Sequence, residues 1–128
     1  MTELKMILAV AAGGAVGSVA RYLAGIGSTR MFGLAFPWGT LIINIAGSFL
    51  IGVFVELFAL KWNLPQEARV FLTVGICGGF TTFSTFSLDA YLLMERGEWW
   101  LAAGYIVGSA VLSIAALVAA LYLVRSLA

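Results

Sequence analysis

Four long apolar stretches dominate this chain of 128 residues and limit its possible folds more than any other feature. They cover roughly 4–26, 38–60, 70–94 and 99–124. Each reaches the ~20 residues that an α-helix needs to cross about 30 Å of hydrocarbon. Charged residues make up 10% of the chain and hydrophobic ones 62%, whereas a soluble domain is about 25% charged. One small core could not hide this much apolar surface. The expected fold is therefore an all-α integral membrane protein. It has four transmembrane helices in a single domain, 1–128, with helices near 4–26, 38–60, 66–94 and 99–124.

The connections carry the turn and charge signals: Gly27-Ser28-Thr29-Arg30, Lys61-Trp62-Asn63-Leu64-Pro65 and Glu95-Arg96-Gly97-Glu98. Trp38, Trp62, Trp99, Trp100 and Tyr122 stand near run ends, where aromatic belts form. The first run is longer than a signal-peptide core and reads as a span. Lys5, Lys61, Arg69 and Arg125 fall on one side, Arg30, Arg96 and the nearby Arg21 on the other. The positive-inside rule gives so even a chain little preferred orientation. The net charge of +1 and the absence of a basic patch argue against nucleic acid. With no histidine and one cysteine, Cys77, a zinc site is not expected.

Two runs carry polar stripes. Thr40, Asn44 and Ser48 share one helix face, and Tyr105, Ser109 and Ser113 share another, each set spaced by four. Thr81 and Thr85 form a shorter pair. Ser and Thr can serve simply as glue between helices or bond back to their own backbone. Asn44 cannot be dismissed that way, because its amide carries two donor hydrogens and an acceptor that its own helix cannot satisfy. Gly13, Gly14, Gly17, Gly47, Gly52, Gly104 and Gly108 read as points of close helix contact.

The third run holds the string GGFTTFSTF, 78–86. A continuous helix over 65–94 would measure about 45 Å at 1.5 Å per residue, more than the hydrocarbon thickness. Adjacent glycines ahead of four hydroxyls favour an interruption near 78–81, which is tolerable only where protein or water covers the freed backbone. Freed carbonyls suit a cation. Aromatic rings have positive edges. Phe83 and Phe86, three apart, could present those edges to an anion beside hydroxyl and amide donors. No carboxylate lies among these motifs to repel one. Glu56 and Asp89 fall near run ends and read as interfacial. Paired carboxylates and a nucleophile–base pair are both missing, so an enzyme is not expected.

GGFTTFSTF, taken with WGTLIINIAGSFLIG (38–52) and GGAVGSVARY (13–22), resembles the Fluc (CrcB-type) fluoride channels over essentially the whole chain. The resemblance implies an antiparallel, dual-topology homodimer with a broken third helix and two fluoride pathways along the subunit interface. It implies a structural sodium ion held by the backbone carbonyls of Gly78 and Thr81. Phe83 and Phe86 would offer ring edges to fluoride and Asn44 a pore-side donor. Ser84, Thr85, Tyr105, Ser109 and Ser113 would line the path, with Thr40 beside them and Arg21 near a vestibule. The implied role is passive export of cytoplasmic fluoride across the inner membrane of a prokaryote, giving fluoride resistance. The implied partners are fluoride, lipid and a second copy.

Two other readings compete. A small multidrug exporter also has four helices, but it needs a carboxylate within its first span, where this chain has only Glu3 at the extreme start. A non-transporting assembly subunit accounts for the glycines and leaves Asn44 with TTFSTF unexplained.

Overall fold

The computed structural model describes residues 2–127, which are helical apart from short connections. The elements are α1 (Thr2–Phe32), α2 (Trp38–Leu60), α3 (Gln66–Val70), a π-helical segment (Phe71–Cys77), α4 (Gly78–Phe80), α5 (Phe83–Glu95) and α6 (Trp99–Leu127). Four stretches are long and apolar enough to cross a membrane: Glu3–Phe32, Trp38–Leu60, Gln66–Glu95 and Trp99–Leu127.

The first helix runs past the expected end near residue 26. Gly27-Ser28-Thr29-Arg30 continues it, because no proline interrupts the run and Ser28 packs on Gly39 of α2. The chain turns at Gly33, where φ is +78° and the amide bonds to Thr29 O at 2.9 Å. The α5–α6 corner is a Schellman motif. Glu98 N bonds to Leu93 O at 2.9 Å and Gly97 N to Met94 O at 3.0 Å, with Gly97 at φ +79°.

The third span is irregular. Gly78 and Gly79 are themselves helical, and the extended residues are Thr81 (ψ 157°) and Thr82 (φ −150°, ψ 126°). The glycines serve a different purpose, since a Cβ on Gly79 would lie 2.7 Å from Gly14 O of α1. One turn earlier the π segment meets α1 backbone to backbone, and a Cβ on Gly75 would lie 2.8 Å from Gly13 Cα. Side chains at either position would force the helices apart.

Within this chain α6 packs most extensively on α2, and α1 on the π segment and α4. The core is small: Ala90, Leu93, Ala102 and Tyr105, with Phe36, Leu41 and Phe86 against it. Only 11% of the most apolar window is buried in three of the spans, and 22% in the second. Large apolar side chains such as Ile7, Leu23, Val74, Val107 and Ile114 are exposed on the remaining helix surface.

Candidate channel site

Asn44 and Thr82 form the centre of the site. Asn44 Nδ2 donates to Thr82 O at 3.1 Å, and Thr82 N donates to Asn44 Oδ1 at 2.9 Å. The amide side chain thus pairs with a backbone unit as a second strand would. This is how α2 holds an extended residue that lipid could not satisfy. The pairing uses one of the two Nδ2 hydrogens. Thr82 then caps α5, its Oγ1 accepting from Thr85 N at 3.2 Å and lying 3.4 Å from Ser84 Oγ.

The carbonyls ahead of the extended pair are served unevenly. Cys77 O accepts from both Thr81 N (3.0 Å) and Thr81 Oγ1 (2.9 Å). Gly79 O accepts from Arg21 Nε at 3.2 Å. A regular helix would give the Thr82 amide to Gly78 O and the Thr85 amide to Thr81 O. Here those amides go to Asn44 and to Thr82 Oγ1 instead.

A groove of about 900 Å³ runs along one side of the chain. Asn44, Ser48, Thr73, Thr81, Thr82, Ser109, Ser113 and Arg69 are its polar lining, with Gly78, Phe83 and Phe86 among the apolar walls. Phe83 is 78% exposed and tilts against Phe86, with ring centroids 5.5 Å apart. Phe86 in turn leans on Tyr105 at 5.1 Å. Ser109 is buried, and its Oγ has no hydrogen-bond partner among the described residues. A buried hydroxyl without a partner is costly.

A second cavity of about 750 Å³ lies towards the α1–α2 corner. Arg21, Thr40, Thr85, Asp89 and Arg96 contribute to it, and Thr82 borders both spaces. The expected site residues therefore divide. Asn44, Phe83, Phe86, Ser109, Ser113, Gly78 and Thr81 face the groove, and Arg21, Thr40 and Thr85 face the second cavity. Ser84 is exposed beside Thr82, and Tyr105 sits buried behind Phe86, donating to Asp89 Oδ2 at 3.2 Å. Thr82 lines both spaces and Asp89 the second cavity, and neither was among the expected site residues. Thr82 stood in the TTFSTF string with nothing to rank it above its neighbours. Asp89 read as a run-end charge.

Four helices long and apolar enough to cross a membrane define a multi-pass membrane protein. The family model described as "CrcB-like protein, Camphor Resistance (CrcB)" matches residues 8–121, and the chain belongs to that family. A Nitrobacter winogradskyi protein named fluoride-specific ion channel FluC is 66% identical, the match covering 93% of this chain and 94% of the relative. Proteins of the same name from Agrobacterium fabrum and Rhodospirillum centenum are 59% and 53% identical. Those matches cover 94% and 96% of this chain, and 97% and 98% of the relatives.

Proposed function

We propose that this protein is a fluoride-selective channel through which cytoplasmic fluoride leaves the cell passively, and that it is not an enzyme. The observation that carries this reading is the convergence on one groove of an amide donor (Asn44), two tilted phenyl rings (Phe83, Phe86) and two hydroxyls (Ser109, Ser113). Fluoride is strongly hydrated, so fixed donors must replace the water it sheds. Ring edges bind more weakly and let the ion move on, as conduction requires. The names of the relatives agree with it.

The path is completed by a second copy lying antiparallel. An open groove conducts only when covered, Phe83 is largely exposed, and a Cβ at Gly104 or Gly108 would meet nothing within 4 Å. The even distribution of Lys and Arg suits insertion in both orientations. Sodium fits the broken third span on the chemistry of its donors. The Gly78 and Thr81 carbonyls have lost their helical amides to Asn44 and to Thr82 Oγ1, and hard carbonyl oxygens suit a hard cation. When bound there, the ion would join the two copies electrostatically. Arg21 withdraws the Gly79 carbonyl from the same donor set.

The test is purified protein in liposomes loaded with fluoride or chloride, with efflux followed by an ion-selective electrode. Rapid fluoride loss without a proton gradient, with chloride retained, is expected. Efflux that requires a proton gradient would refute a passive channel. The Phe86→Ala protein should still fold and pass fluoride more slowly. Subunit counting in the bilayer should give two, and exchanging sodium for a bulky organic cation should weaken the dimer.

A further inference from the structure

Helix α6 carries the Tyr105, Ser109 and Ser113 stripe, yet its own apolar pattern does not determine which way that stripe faces. Val107, Val111, Leu112, Ile114, Val118 and Leu123 are all exposed around it. In lipid one apolar face is as acceptable as another, so the rotation of α6 has to be set by specific contacts. There are two polar pins. Near its start, Tyr105 Oη donates to Asp89. Near its end, Arg125 Nε meets Glu56 Oε2 of α2 at 3.2 Å. At about 100° per residue, roughly 200° separates the two pins around α6. Contacts on nearly opposite sides of a cylinder resist rotation better than two on one side.

The second pin has no part in the path described above. Glu56 lies one turn past Gly52, where α2 and α6 come so close that a Cβ would sit 2.8 Å from Leu117 O. That approach leaves the Glu56 side chain 9% exposed while Arg125, at 54%, reaches in from the rim across the Tyr122 ring. A carboxylate this shielded from water is costly unless it is paired. We propose that the Glu56–Arg125 pair is a positioning contact for conduction: it fixes the rotation of α6 so that Ser109 and Ser113 face the groove. The proposal rests on the channel reading for its effect on flux, but not for its effect on geometry.

The experiment therefore has two arms. In a Cys77→Ala background, the rate at which a membrane-permeant thiol reagent labels Ser113→Cys reports the rotation of α6 whether or not the protein conducts. Fluoride efflux per folded protein reports the consequence. Glu56→Gln and Arg125→Gln should each change the labelling rate and lower efflux by about tenfold, and the exchange Glu56→Arg with Arg125→Glu should restore both. The double variant Glu56→Leu with Arg125→Leu keeps the helices together by packing, which separates stability from positioning. It should melt as the parent does and still conduct poorly. Unchanged labelling in both single variants, or parental efflux in the double leucine protein, would overturn the proposal. If the parent passes no fluoride, the channel reading fails and the labelling arm alone decides the pin.

Discussion

Helices α2 and α6 carry polar stripes of identical spacing and put them to different uses. On α2, Asn44 is bound at both ends of its amide to the Thr82 backbone, while Thr40 turns to the second cavity and Ser48 to the groove. On α6, Tyr105 is buried and bonded to Asp89, Ser109 is buried without a partner, and Ser113 lines the groove. Spacing places three residues on one face but does not say what that face meets. The α2 stripe holds irregular backbone through Asn44, whereas the α6 stripe is tied to α5 through the Tyr105 hydroxyl.

Substitutions test that contrast. The largest effect is expected for Asn44→Ala, which strands an amide and a carbonyl in an apolar setting. It should cost about 2–4 kcal/mol of stability and lower fluoride efflux on the order of 100-fold, read by thermal melting and by the liposome electrode. Equal loss of stability with full efflux would make Asn44 scaffold alone. Ser109→Ala should reverse the pattern: no loss of stability, because Oγ has no protein partner to lose, and roughly tenfold slower efflux from one missing donor to the anion. Tyr105→Phe keeps the ring contacts with Phe36 and Phe86 and gives up the bond to Asp89. About 1 kcal/mol of stability should go with it, and efflux should fall severalfold as α6 gains freedom. The smallest effect is expected for Ser48→Ala, at the groove wall. Less than about twofold in efflux would rank the second half of the α2 stripe as lining, and a larger change would blur the contrast between the helices.

Much of this architecture was legible in the sequence because length and hydropathy are local properties. The four apolar runs marked the four spans, and GGFTTFSTF contained the extended residues of the third one, but nothing marked the π-helical segment over Phe71–Cys77 before it. The location of the irregularity was less legible. The glycine pair suggested residues 78–81, but glycine in a membrane helix also serves close contact, and Gly79 does so against Gly14. The extended residues are threonines that α2 holds from outside, a relation spanning 38 positions. Distance in the chain also hid the Glu56–Arg125 pair, whose members read as two unrelated end charges. The run over Gly27–Arg30 looked like a turn by composition and is helix, because composition alone does not stop a helix that has something to pack on.

The spans differ in reach. Helix α2 has 23 residues, about 34 Å, while α1 and α6 have 31 and 29. In a bilayer of ordinary thickness the long pair must lean or protrude, and the short one stands nearly matched. Thickening the membrane would therefore strain α2 before its neighbours, and α2 is the helix that holds Asn44. Acyl-chain length should thus act on ion passage through the shortest rod in the bundle, with no lipid headgroup chemistry involved.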